Sequence, residues 1–467
     1  MEEQDEMKIA TDEPVTANTV GDETGGQIKC PKCGATDISL NINKGNLRCN
    51  FCRHEFEAEK AADPEADLSK LEGTVIGAGA SDIVADTNDV LTFKCSSCAA
   101  EVVIDTAQST QARCHWCRNT LSIQQQIPNG AVPDVVLPFS LKKEDAKNSI
   151  EQFVGKRQFY AHPQFKKEFN ADNVMGVYLP YMIVDVNAHS KLTGQGEHEV
   201  RRYTVGTGKE KKTYYDADLY DVEREFDMVV EGLTVESSAD KLNKNTNAKT
   251  NNIINSIMPF DTENSVKWNA NYLKGYTSEK RDTNVGQLQG LVSTQAKDIA
   301  RHQMNETLKA YDRGVCWTSE ELDVKGAQWK AAYLPVWLYS YHQKNKNLLH
   351  YVAVNARTKE TMGSVPLHTP KLLAVSAMIE VISFILWLVV SPFFAESDSD
   401  FSWLLMTAGF VYYAMIYAKY RNKGARHFHE KETKATCTNL QKKDVFVKQL
   451  TKLKNARMTG ANNTSVG

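Results

Sequence analysis

Eight of the ten cysteines in this chain fall into four Cys-x-x-Cys pairs. Cys30 and Cys33 are followed, after fifteen residues, by Cys49 and Cys52; Cys95 and Cys98 are followed, again after fifteen, by Cys114 and Cys117. A Cys-x-x-Cys turn sets two thiolates along one edge of a tetrahedron, and a short hairpin carries a second turn to the opposite edge. That donor set predicts two structural Zn²⁺ ions, one on Cys30, Cys33, Cys49 and Cys52 and one on Cys95, Cys98, Cys114 and Cys117. The acidic start, Met1-Glu2-Glu3-Gln4-Asp5-Glu6, has no apolar stretch behind it and reads as a cytosolic N-terminus, where thiols stay reduced and serve as ligands. Cys316 and Cys437 have no such company and read as ordinary thiols.

The likeness of the two sets goes beyond the ligands. Lys29 and Lys94 precede the first cysteines, Arg48 and Arg113 the third, and Arg53 and Arg118 follow the fourth. Phe51 and Trp116 occupy the same place in each later pair, so the pattern is a duplicated zinc ribbon with a 65-residue period. Cations around the sulfurs balance a cluster of about −2 charge. They could equally meet phosphate, with Phe51, Trp116 and His115 stacking on bases, although the first ribbon holds only five basic residues against two acids and the second three against two. Iron in a rubredoxin-like site is the other metal that Cys30-Pro31-Lys32-Cys33-Gly34 suggests.

The elements that must carry the ribbons divide by charge and hydropathy. Residues 1 to 25 hold eight acids against Lys8, and residues 419 to 467 hold twelve Lys or Arg against three acids. Leu372 to Ala395 is an apolar run of 24 residues broken only by Glu380, and Phe401 to Ala418 is an uncharged run of 18. As helices they reach roughly 36 and 27 Å, enough for a ~30 Å hydrocarbon layer. A two-helix transmembrane hairpin over 371–395 and 401–418 is expected, with Lys371, Lys419, Arg421, Lys423 and Arg426 holding both outer ends, and the ribbons with them, on the cytosolic face of a cell membrane. Glu380 is an intramembrane carboxylate, readable as a functional group or as a side chain bonded to a tyrosine near Tyr412, Tyr413 or Tyr417. In the basic tail, Phe446, Leu450 and Leu453 suggest an amphipathic helix, solvated or lying on anionic lipid.

Between these ends, 128–370 reads as an α+β domain with antiparallel sheet, separated from an acidic tail (1–27), ribbon 1 (28–57), a linker (58–90) and ribbon 2 (91–127). Helices are expected over Leu141–Val154, with Ser140 as cap, and over Leu291–Tyr311. Tyr178-Leu179-Pro180 and Tyr333-Leu334-Pro335 each open a β-branched, aromatic run, an echo that suggests internal duplication. Leu338–Tyr341, Leu348–Val354 and Thr361–Val365 read as a meander. No phosphate loop, nucleophile elbow or H-E-x-x-H helix occurs. Asp134, Asp185, Asp216, Asp218, Asp221, Asp227 and Asp261 are scattered acids, and His162 lies in the basic-aromatic stretch Lys156–Pro163.

The segments Arg113-Cys114-His115-Trp116-Cys117-Arg118, Ile127 to Asp134, Leu137-Pro138-Phe139 and Tyr333 to Trp337 resemble an uncharacterised family of bacterial membrane proteins with zinc ribbons of the transcription-factor-IIB type. The likeness covers most of the chain from about Gly73 onward, and it implies a nucleic-acid role only by analogy of the ribbon. The expectation is a membrane-anchored zinc-ribbon adaptor without catalysis, held by lipid contacts of the hairpin and basic tail and displaying surfaces to a cytosolic protein partner. The alternative is a membrane-tethered DNA- or RNA-binding protein.

Overall fold

The computed structural model describes residues 15–17, 30–33, 35, 38–42, 44, 46–57, 67–80, 90–94, 101–105, 112–116, 120–121, 126–127, 133–206, 211–238, 257–268, 270–273, 276–279, 281, 283–343, 348–394, 406–421 and 433–453. The N-terminal third supplies short strands: β1 (Val15–Ala17), β2 (Ile38–Asn41), β3 (Asn46–Cys49), β4 (Glu55–Phe56), β5 (Gly73–Gly77), β6 (Val90–Lys94), β7 (Glu101–Asp105), β8 (Ala112–Arg113), β9 (Thr120–Leu121) and β10 (Gln126–Ile127). Two of them lie in segments expected as linker and tail. Within the expected linker, Thr74, Val75 and Ile76 form β5, which runs parallel to a strand of the main sheet. Within the expected acidic tail, Val15–Ala17 adds β1 to the edge of β5.

The body follows as β11 (Val135–Val136), α1 (Lys143–Gly155), α2 (Pro163–Glu168), β12 (Met175–Val205), β13 (Lys212–Glu236), β14 (Val266–Lys267), β15 (Thr277–Glu279), α3 (Val285–Met304), β16 (Val315–Gln343), β17 (Leu348–Asn355) and β18 (Thr361–Gly363). Then come two helices, α4 (Thr369–Phe394) and α5 (Ala408–Arg421), and a last strand, β19 (Lys434–Leu453). Among the described residues fourteen strands share one sheet, with β12 paired to both β13 and β16 and β13 also to β19. The sheet is mixed rather than antiparallel throughout, because β5 and β11 lie parallel to β16 and β15 parallel to β12.

The two Tyr-Leu-Pro motifs lie directly opposite one another. Tyr178 pairs with Pro335, Leu179 with Leu334 and Pro180 with Tyr333. On the outer side of β12, a short parallel partner (β15) ends at Tyr178 and an antiparallel one (β13) begins at Tyr181. On the outer side of β16, β11 ends at Tyr333 and β17 begins at Val336. Each proline therefore falls in the gap between two outer partners, where its missing N–H leaves no ladder bond unmade. This corrects the expectation that the prolines mark strand starts.

One face of the long strands is covered by α3. Leu288, Val292, Ala296 and Ile299 recur at helical spacing and are buried with Phe226, Met228 and Trp329. The helix begins at Val285, six residues before the expected start, because Asn284 and Gln287 form a capping box in which the Asn284 amide donates to Gln287 Oε1 at 2.8 Å. The first helix starts at Lys143, and Ser140 does not cap it: its hydroxyl donates to the Ala356 carbonyl at 3.1 Å. The tail stretch expected as an amphipathic helix is β19, paired along β13 from Tyr214↔Leu453 to Glu231↔Lys434. Thr436, Thr438, Val445 and Val447 suit a strand, and the open edge of β13 supplies the ladder. Arg224, 1% exposed, fixes the register by meeting both carboxylate oxygens of Asp444 at 2.6 and 3.2 Å.

The helix pair grows out of the body's core. Leu372 in the first turn of α4 and Tyr420 in the last turn of α5 are buried with Phe153, Tyr160 and Phe165. Between them they grip the α1–α2 connection. The Tyr160 N–H donates to Tyr420 Oη at 3.0 Å, the Tyr420 hydroxyl donates to the Arg157 carbonyl, Tyr160 and Tyr412 join hydroxyls at 2.9 Å, and Arg157 Nε reaches the Lys419 carbonyl at 3.4 Å. The basic-aromatic stretch around His162 is thus the joint between helices and body, with His162 packed against His368.

Among the described residues, Thr369–Val389 is the one span long and apolar enough to cross a membrane. The described part of α5 has 14 residues and lies against the body-proximal half of α4. A full two-helix hairpin is therefore more than the described residues contain. Glu380 accepts the Gly409 N–H at 2.7 Å, so its partner is a first-turn amide of α5 and not a tyrosine. A Cβ on Gly409 would sit 2.3 Å from the Ser376 carbonyl, so only glycine permits this close approach of the helices.

Candidate metal centre

Ribbon 1 is a three-stranded sheet, β2–β3–β4, with a cysteine turn at each end of its ligand path. The turns have the same backbone form. The Cys30 N–H donates to the Ala35 carbonyl and the Cys49 N–H to the His54 carbonyl, both at 2.9 Å. The fifth residue of the second turn, Arg53, takes φ 59°, a left-handed conformation. Buried Ile38 and Leu47, with Leu40 and Phe56 half-buried, fasten this small sheet to the body's core.

The ligand atoms of Cys30, Cys33, Cys49 and Cys52 all lie within 4.8 Å of one another. Across the two turns, Cys30 Sγ is 3.5 Å from Cys52 Sγ and Cys33 Sγ is 3.7 Å from Cys49 Sγ. Four sulfurs about 2.3 Å from a tetrahedral zinc would be roughly 3.8 Å apart, so the cluster has the size and the soft donors such an ion requires. Burial opposes ionisation of Cys30, but the amides of Lys32 and Cys33 and the neighbouring thiols bring it down to about 7. The Ala35 amide favours the thiolate of Cys33, yet burial and the other three sulfurs push it up to about 12. A cation is what allows all four to ionise together.

Around the cluster, Lys44 is paired with Glu55 at 2.7 Å, and that ammonium is the first of the groups holding the Glu55 carboxyl below its usual range. Arg48 lines an open cleft with Ser39, Asn41, Lys142, Lys143 and Trp337, where ribbon 1 meets the start of α1. Phe51, at the tip of the second turn, is 81% exposed, while His54 and Phe56 stack on one another at 6.2 Å between ring centres.

Ribbon 2 is described only in part, and Cys95, Cys98 and Cys117 lie outside the described residues. Cys114 is fully buried. The hairpin β6–β7 does not form a free-standing sheet but joins the body: Val103 of β7 pairs with Ser278 of β15, and β10 pairs with β6. Trp116 is 6% exposed and packs edge-on against Tyr351 at 5.4 Å, with His115 buried beside it. The reading in which Trp116 and His115 stack on bases is corrected here, since both rings are inside the protein.

The other residues singled out by type do not converge. Asp134 is buried and accepts the amides of Gly79 and Ala331 at 2.7 and 2.8 Å, stitching the segment after β5 to β16. Asp185 accepts the Gly232 N–H at 2.7 Å across a bulge where Gly232 takes φ 67°. Asp261 forks onto Arg357 at 2.9 and 3.0 Å. Asp227 accepts from Asn439, Lys325 and His189, and these donors, Asn439 foremost, hold its carboxyl far below the usual range. Cys316 is an exposed thiol, and burial pushes Cys437 up to about 11. No family model, curated protein or solved structure matches the chain.

Proposed function

We propose that the chain is a membrane-anchored zinc-ribbon adaptor whose ribbon 1 knuckle is a recognition tip for a cytosolic protein. The observation that carries this reading is Phe51, 81% exposed above a four-thiol cluster that fixes its backbone. An aromatic ring held out in water by a rigid metal turn gains by burial against a partner, and such rings are the usual energetic centres of interfaces. On this reading Cys30, Cys33, Cys49 and Cys52 hold one Zn²⁺, and Cys95, Cys98, Cys114 and Cys117 a second. The apolar runs 371–395 and 401–418 form a transmembrane hairpin, and Lys371 and Lys419 keep its outer ends on the cytosolic side. We also propose that the body is an internal duplication, supported by the mutual pairing of the two Tyr-Leu-Pro motifs and by the matching order of a short strand, a helix, a long strand and its hairpin partner in each half.

The nucleic-acid reading is kept by the same ring, because exposed Lys32 and Arg53 belong to the same pair of cysteine turns as Phe51 and base stacking tolerates any sequence. A single set of measurements separates the two. The full chain in detergent is analysed for zinc and titrated with random-sequence DNA and RNA at two salt concentrations, alongside Phe51→Ala. Two zinc ions and no binding leave the protein adaptor standing; binding that falls steeply with salt and is lost in Phe51→Ala replaces it with the nucleic-acid function.

A further inference from the structure

The joint between the helix pair and the body exposes a phenylalanine where none is needed for packing. Phe159 is 61% exposed, yet its neighbours Arg157 and Tyr160 are buried in the joint. Lys371, at the start of α4, donates to the Phe159 carbonyl at 2.9 Å and holds its ammonium 3.7 Å above the Phe159 ring. Two residues further along α4, Leu373 is 61% exposed, and Met378, Val381, Ile382 and Ile385 continue the bare apolar surface. Phe159 therefore stands at the level where α4 changes from body helix to apolar rod. Lys156 and Lys419, both exposed, lie beside this level, one two residues before Gln158 and the other at the α5 turn that Arg157 contacts.

We propose that Phe159, with Lys156, Lys371 and Lys419, is an interfacial anchor that enters the headgroup zone of an anionic leaflet. The inference rests on the membrane reading above and adds the depth and the lipid class. The chemistry is that of a membrane–water boundary: the ring takes the apolar side of the interface, and the ammonium groups take the phosphate side. The ring is fixed beside the start of the exposed apolar surface of α4 by two contacts from one lysine, Lys371. Each basic residue near an anionic surface contributes about fivefold to its attraction. Phosphatidylglycerol should accordingly be enriched around Phe159 over its proportion in the bilayer, and Lys371→Gln should reduce that enrichment about fivefold.

The test uses the full chain reconstituted in vesicles of phosphatidylcholine with or without phosphatidylglycerol, carrying a photo-crosslinking benzoyl-phenylalanine in place of Phe159, or of Met378 on α4, or of Val205 at the far end of β12. Lipid adducts at 159 and 378 but not at 205, with phosphatidylglycerol over-represented at 159 and less so in Lys371→Gln, are the expected result. Adducts at 378 without adducts at 159 overturn the anchor while leaving the membrane span intact. Adducts at 159 that ignore lipid charge overturn the anionic assignment. An absence of adducts at both 159 and 378 removes the membrane reading and the anchor together.

Discussion

The two cysteine modules carry the same ligand spacing and the same flanking charges, but they meet the rest of the molecule in opposite ways. Among the described residues, ribbon 1 pairs its three strands with one another and turns its knuckle outward. Ribbon 2 contributes β6, β7 and β10 to the main sheet and turns the matching aromatic inward against Tyr351. The residues at equivalent places, Phe51 and Trp116, are 81% and 6% exposed. Two copies of one cysteine pattern can thus be seated differently, one built into the main sheet and the other leaving its knuckle aromatic in solvent, without any change in cysteine spacing.

Trp116→Ala should give the largest effect, because a buried indole leaves a cavity worth about 3–5 kcal/mol. In a body of this size that lowers the thermal midpoint by roughly 10 °C, read by circular dichroism; a shift below 2 °C would show that ribbon 2 is not part of the core. Next comes a pair of ligand variants. Cys114→Ser should lower the body's midpoint along with the zinc count, whereas Cys49→Ser should remove one zinc per chain and abolish hydrogen-exchange protection in β2–β4 with protection in β12 and β16 retained. Equal collapse in both variants would erase the contrast.

A control lies far from both modules. Asp227→Asn should cost about 1 kcal/mol at pH 7, since it weakens bonds to Lys325, His189 and Asn439. A carboxyl depressed in the folded state stabilises fully above its unfolded value near 4 and loses that contribution as pH falls through its own lower value. Urea titrations should therefore show the gap between Asp227→Asn and the parent closing below about pH 4; a gap that widens there would put the sign wrong. The smallest stability effect belongs to Phe51→Ala, within about 0.5 kcal/mol by the same titration, because the ring buries so little. Its consequence is expected in partner binding alone.

Much of this was written in the chain where local rules are strong. Cysteine spacing placed the first cluster, and the meander of β16, β17 and β18 followed from its turn residues and β-branched runs. The early start of α3 was legible too, in Asn284 and Gln287, but lay outside the apolar period used to find the helix. What could not be read locally was set by partners distant in sequence. The far half of β12, through Gly194-Gln195-Gly196-Glu197-His198-Glu199, has no apolar alternation and is a strand because β13 pairs along all of it and β16 as far as Gly196. The tail residues Phe446 and Leu450 fit a strand face or a helix face equally well, and only the vacant edge of β13 decides between them. The fates of Phe51 and Trp116 were likewise invisible, since their local sequences are nearly the same.

The way the helix pair is seated bears on how a partner would be met. Leu372 and Tyr420 belong to the core, and no slack chain separates α4 from the body. On the membrane reading, the body rides on its anchor as a fixed mast and not as a kite on a string. Tumbling and tilt are already surrendered before any partner arrives, so less orientational entropy is lost on association. Capture becomes a two-dimensional search at one set height, and a partner that is itself bound to the same bilayer would be favoured over one arriving from solution.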